Sequence, residues 1–160
     1  MLLRPMTEGD LSFMLDIRNE VRDLINDNRI FTLDEAVEWY HNYHPENYVV
    51  VVNGVDVGIM RVRRGRQHPR SAEVGGDIHK SFRRLGYGRR AYCLLIPYLF
   101  GIDSINELYL EVLELNMPAF NLYHQLGFEI HEWKPQMARR AHGWLEGFVM
   151  SLTEDKWNRK

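Results

Sequence analysis

The segment Arg83-Arg84-Leu85-Gly86-Tyr87-Gly88 sets two arginines and two glycines ahead of a stretch in which Ala91, Leu94, Leu95 and Tyr98 recur at helical spacing. A helix start carries amide N–H groups that have no partner within the helix, together with a partial positive charge. Glycines let the main chain approach an anion closely, and Arg83 or Arg84 adds a charge-assisted contact, so this segment has the chemistry of a phosphate site. A plain solvated turn would read the same way, because short Gly-x-Gly patterns are common. The dinucleotide fingerprint is excluded, since its third glycine position holds Ala91, and no Gly-Lys-Ser/Thr follows to make a Walker loop.

Other reactive residue types carry less. Arg61, Arg63, Arg64, Arg66, His68 and Arg70 crowd one connection that attracts anions, but without interleaved aromatic residues it reads as an exposed loop rather than a nucleic-acid platform. His41 and His44 lack the glutamate and third ligand of a zinc helix, so no metal is expected. Cys93 is the single cysteine, which excludes an internal disulfide, and it is expected to be buried packing rather than a nucleophile.

These residues need elements to position them. Leu2 to Arg4 opens as a strand, and Thr7 with Asp10 resembles a capping box before a first helix carrying Leu11, Met14, Leu15 and Arg18. Thr32 with Glu35 repeats the signal for a second helix running to about Tyr43. The period then changes: Tyr48 to Val52, Asn53-Gly54 and Val55 to Val62 form a hairpin, because Asn-Gly supplies the positive φ angles of a type I′ turn. Ser71 to His79 is a further strand, in which Gly75-Gly76 signals a bulge or a close approach by another group. Pro97 is expected to kink or end the third helix early. Glu107 to Leu113 is a strand, and Pro118 opens a helix through Ala119, Leu122, Tyr123 and Leu126 that Gly127 closes. Phe128 to Trp133 and Glu146 to Leu152 complete the strands, with Met137 to Trp144 as a loop between them. This order is a mixed α/β plan with helices on both faces of one sheet.

A length of 160 residues suits one domain over 1–160, and 45% hydrophobic with 26% charged residues is an ordinary globular mix. A net charge of -2 gives no global pull toward nucleic acid or an anionic membrane. The opening residues meet acidic side chains before any secretory apolar stretch, and the run from Ala91 to Gly101 is too short to span a bilayer, so a cytoplasmic protein is expected.

Arg83-x-x-Gly86-x-Gly88, followed by Leu110-Glu111-Val112-x-x-x-Asn116-x-x-Ala119-x-x-x-Tyr123-x-x-x-Gly127-Phe128, resembles the GNAT acetyltransferase superfamily. The resemblance implies a mixed, mostly antiparallel central sheet splayed at the middle and flanked by about four helices. It also implies that acetyl-CoA lies in the splay, its pantetheine arm paired with the strand around Val74. Arg83, Arg84 and the amides of Leu85, Gly86, Tyr87 and Gly88 would hold the pyrophosphate, and Asn116 would bond the pantetheine region. Tyr123 would be the general acid for the departing thiolate, as a phenol with a pKa near ~10 stays protonated at neutral pH. An alkyl ammonium must lose a proton before attack, and Glu73 stands where several GNAT subgroups carry that base. A solvent-facing strand residue is the alternative reading of Glu73; Asp77 and His79 are the reserves, and Glu111 reads as structural.

The first third of the chain resembles the subgroup that acetylates amino groups of nucleotide-linked sugars, in Ile17-Arg18-Asn19, Val21-Arg22, Ile30 and Thr32-x-x-Glu35-x-x-x-Trp39. Arg18 and Asn19 would then bond a sugar hydroxyl or phosphate, although a basic residue near a helix C-terminus is also simply favourable. The implied partners are acetyl-CoA and a small-molecule or peptide amine, with the N-terminal amine of a protein as the alternative acceptor. A non-catalytic acyl-CoA-binding module is the alternative from another class, and a homodimer stays open.

Overall fold

The computed structural model describes residues 1–101 and 105–159. Its elements follow as β1 (Leu2–Pro5), α1 (Leu11–Val21), α2 (Leu33–Tyr43), β2 (Glu46–Val52), β3 (Val55–Arg64), β4 (Ser71–Ile78), α3 (Tyr87–Gly101), β5 (Glu107–Leu113), α4 (Met117–Leu126), β6 (Glu129–Arg140), β7 (Gly143–Thr153) and α5 (Glu154–Asn158). The expected order holds, with one short helix added at the end, where Thr153 accepts the Lys156 amide as an N-cap. The β2–β3 turn has φ 51° at Asn53 and 79° at Gly54, as a type I′ turn needs.

The sheet runs β1-β2-β3-β4-β5-β7-β6, and every neighbouring pair is antiparallel except β4 with β5. Those two pair only over Ser71–Glu73 against Glu107–Tyr109, after which the rest of β4 has no partner on that side. The sheet is therefore splayed at its middle. Strand alternation sorts the side chains onto two faces. Val50, Met60, Val62, Ala72, Val74, Leu108 and Leu110 meet α3 and α4, whereas Val49, Val51 and Ile59 meet α1 and α2.

Several expectations need correction. Residues 137–144 are not a loop: β6 and β7 pair as far as Arg140 and Gly143 and turn tightly between them. Two register shifts along β6, between Ile130 and Glu132 and between Lys134 and Ala138, break the alternation that would have marked a strand. Gly75-Gly76 is not a bulge, because β3 and β4 keep register throughout, and the sheet's shift on that side falls at Val50/Val51 instead. Close approach is the correct reading there: a Cβ on Gly76 would collide with Met60 Sδ, and one on Gly75 would lie 3.1 Å from Arg61 Nη2. Pro97 does not end α3, which continues to Gly101. Pro97 and Cys93 lie on its exposed side, where the carbonyl that the proline leaves unpaired can reach water. Cys93 is thus exposed rather than buried, and so are Leu94 and Tyr98; Tyr92, Leu95, Ile96 and Leu99 form the inner stripe.

The start of α1 is tied to the sheet by charge. The Asp10 carboxylate accepts from Arg4 at 2.8 and 2.7 Å and from the Thr7 amide at 2.8 Å. The Arg4 bond first, and the Thr7 bonds after it, outweigh burial and hold the Asp10 pKa at about 2 instead of 3.8. A folded-state pKa below the unfolded one contributes stability above the unfolded value, and this is lost as pH falls through the folded one. Asp10→Asn is therefore expected to cost about 2 kcal/mol at pH 7. The gap between the two proteins should close between roughly pH 4 and 2, as followed by thermal unfolding across that range.

Candidate active site

A cleft of about 500 Å³ opens where β4 and β5 part. Its floor is the α1–α2 face of the sheet, with Arg61, Arg63, Glu73, Gly75, Asp77 and Glu111, and its walls are Met14, Arg18, Phe31 and Trp39. Through the splay it reaches Val74, Val112, Asn116 and Tyr123, so residues from both faces line one space.

Tyr123 projects from α4 with 7% exposure, its ring edge-on to Tyr92 at 5.6 Å and its hydroxyl 3.4 Å from the Tyr92 hydroxyl. Burial raises the Tyr123 pKa above the ordinary tyrosine value, and burial raises that of Tyr92 further. At neutral pH both phenols keep their protons. Glu73 lines the same cleft, with Oε1 accepting from Arg63 and Oε2 from Arg66, each at 3.1 Å. Asp77 is two alternations along the strand and accepts from Arg61 Nη1 at 2.5 Å through Oδ2. His79 lies outside the lining, where Glu20 takes its Nε2 at 3.2 Å.

The turn ahead of α3 has the conformation that its glycines allow. Gly86 sits at φ 76° with open space where a Cβ would stand, and Arg84 is also left-handed at φ 62°. Among the described residues, no group outside the helix accepts from the amides of Leu85, Gly86, Tyr87 or Gly88. Gly88 faces Ile78 and Leu122, which places this turn at the mouth of the splay between the end of β4 and α4. The Arg83 side chain turns away, giving Nε to the Ile78 carbonyl at 2.9 Å and Nη2 to Glu20 at 3.3 Å. Asn116 caps α4 by accepting the Ala119 amide at 3.4 Å through Oδ1, which leaves its amide hydrogens for the cleft.

Arg18 lines the cleft with its guanidinium 4.5 Å from the Phe31 ring centre. Asn19 does not: it lies on the exposed side of α1, because a helix turns successive residues by about 100°. The chain between α1 and α2 roofs the cleft and is held from far away. Arg140 donates to the carbonyls of Ile25 at 2.5 Å and Asn26 at 3.2 Å, and the Asn26 amide bonds Glu111. Sequence reading missed this clamp; it gave Glu111 a structural part, and the structure places Glu111 on the cleft floor, bonded to Asn26. Among the described residues no cluster of three metal-binding side chains occurs, and no helix is long and apolar enough to cross a membrane.

The sequence profile described as Acetyltransferase (GNAT) domain matches residues 1–129. The chain belongs to the GNAT acetyltransferase family. No curated protein matches the sequence. Among solved structures, the fold is similar to a point mutant of spermidine N-acetyltransferase SpeG from Vibrio cholerae, at TM-score 0.88 and 23% identity over 99% of both chains. It is also similar to ribosomal-protein-alanine N-acetyltransferase from Brucella melitensis, at 0.82 and 22% over 96% of this chain and 99% of that one. A third is yncA, a putative acetyltransferase from Salmonella typhimurium solved with its cofactor acetyl-CoA, at 0.80 and 22% over 96% and 93%.

As a GNAT N-acetyltransferase the enzyme uses acetyl-CoA. The chain fits that group on three observations: amides without protein acceptors ahead of α3, a glycine turn that leaves space above them, and an unpaired edge of β4 leading from that turn toward Tyr123.

Proposed function

We propose that this GNAT acetyltransferase, one domain over residues 1–160, acetylates the primary amino group of a nucleotide-linked sugar by direct attack, with Tyr123 as general acid and Glu73 as base. The observation that carries this reading is the single cleft that joins the Tyr123 side of the sheet to the polar floor on the other side. Acetyl-CoA supplies the acetyl thioester and departs as a thiolate. The amides of Leu85, Gly86, Tyr87 and Gly88 hold its diphosphate at the positive end of α3, with Arg84 beside them. Arg83 joins them on leaving Glu20. The free edge of β4 at Val74 offers main-chain groups to the pantetheine arm, and Asn116 donates its side-chain amide there.

Tyr123 keeps its proton through the neutral range and gives it from Oη to the leaving sulfur. Glu73 takes the ammonium proton, directly or through a water, on one carboxylate oxygen. Its clamps are weak, since Arg63 and Arg66 have side chains 58% and 57% exposed, and such pairs contribute little. Asp77 is the reserve base, with Oδ1 free. Arg18 in the cleft supports an acceptor with a sugar or phosphate group, whereas Asn19 takes no part.

The test is a panel with radiolabelled acetyl-CoA and three acceptors: an amino-sugar nucleotide, a peptide with a free N-terminus, and spermidine. Label on the sugar nucleotide is the expected result. Label on the peptide alone overturns the acceptor, and tight coenzyme binding with no label on any amine overturns the enzyme reading in favour of a binding module.

A further inference from the structure

Arg18 from α1 and Arg61 from β3 line one cleft, and each has hydrogen-bond donors without an acceptor among the described residues. Arg18 gives Nη2 to the Asp27 carbonyl at 2.9 Å and lies 3.7 Å from the Asp27 carboxylate. Its Nε and Nη1 have no acceptor among the described residues, and the Phe31 ring centre lies 4.5 Å from the guanidinium carbon. Arg61 gives Nη1 to Asp77, while Nε and Nη2 lie across Gly75, whose missing side chain makes the room. Burial lowers the Arg18 pKa, and the neighbouring Arg61 charge adds to that effect against the pull of Asp27.

The acids of the cleft each have a partner of their own. Glu73 is held by Arg63 and Arg66, Glu111 by Asn26 and Lys134, and Asp27 by Arg29 at 2.7 Å. Glu73, Asp77 and the exposed Glu35 keep acceptor capacity for an ammonium, while Arg18 and Arg61 keep unused donors, so the cleft can take both ends of an amine that carries an anionic group. A guanidinium with unused donors is best satisfied by a planar or tetrahedral oxyanion. A polycation would leave those guanidinium donors unused.

We propose that Arg18 and Arg61 form an anion subsite in the acceptor cleft, so that the acceptor is an amine that also carries a carboxylate or phosphate group. This rests on the transferase reading above and assigns the acceptor's anionic group to two named side chains. Glu73 and Asp77 line the same space and suit the ammonium end of such a molecule.

The experiment compares kcat/KM for matched acceptors with acetyl-CoA: an amino acid against its carboxamide, an amino-sugar phosphate against the free amino sugar, and spermidine. The carboxylate and phosphate arms identify which anion is taken. At least one anionic member is expected to exceed its neutral partner by roughly 10- to 100-fold, the worth of a charged hydrogen-bonded contact. In Arg18→Met and in Arg61→Met that ratio should fall toward one, with Arg18→Lys keeping part of it. Because the wild-type ratio needs no variant, misfolding of either variant leaves the proposal testable. Neutral partners or spermidine acetylated as fast as the anionic members overturn the subsite while leaving transferase activity intact. No acetylation of any amine overturns both.

Discussion

Tyr123→Phe is expected to lower kcat by about two to three orders of magnitude, the usual worth of a positioned general acid, while coenzyme affinity changes little. The ring makes the packing contacts with Tyr92 and Phe128, and phenylalanine keeps it. What is removed is one hydroxyl whose partner among the described residues is another hydroxyl at 3.4 Å, so stability should move by only about 1 kcal/mol. The pH profile gives an independent check. Burial raises the Tyr123 pKa, so the acid form persists and the alkaline fall in kcat should lie above pH ~10 in the wild type. Steady-state kinetics and a coenzyme titration on the same preparation separate the two quantities. Undiminished turnover would take the acid role away from Tyr123.

Leu85→Asp should move stability and coenzyme binding in opposite directions. Leu85 is 57% exposed, so replacing it removes little buried apolar surface. A carboxylate at this place faces the positive end of α3, which is worth about 0.3–1 kcal/mol in favour of the folded state. The same carboxylate occupies the amides proposed for the diphosphate and repels it, so the dissociation constant for coenzyme should rise by about 10- to 100-fold. Calorimetric titration and a melting curve read the two effects. An unchanged dissociation constant beside an unchanged or raised melting temperature would mean that the turn does not touch the coenzyme. A merely misfolded variant would lose both together.

Much of the site was legible because its signals are short. Asn53-Gly54 declares its turn within two residues, Thr32 with Glu35 its cap within four, and Gly86 its left-handed bend alone. The spacing from Asn116 to Tyr123 to Gly127 describes a capped helix that presents one phenol inward. Each follows from backbone sterics or from one helical turn, which a chain carries wherever it goes. The far part of β6, up to Arg140, failed that test, since Pro135, two arginines and two register shifts hide a strand that exists only because β7 pairs with it.

Partners were not legible. The pairing of Arg83 with Glu20 spans 63 positions, and the hold of Arg140 on the Ile25 carbonyl spans 115. The double clamp on Glu73 and the meeting of Arg18 with Arg61 depend on sheet register and on where α1 crosses the sheet. The residues alone determined the family plan, the left-handed glycine turn ahead of α3 and the inward tyrosine. The tertiary structure decided which charges are already spent, which side of α1 meets the cleft, and that the sheet opens after Glu73. Local preferences act within a few residues, whereas these outcomes depend on packing between elements that the chain brings together only when folded.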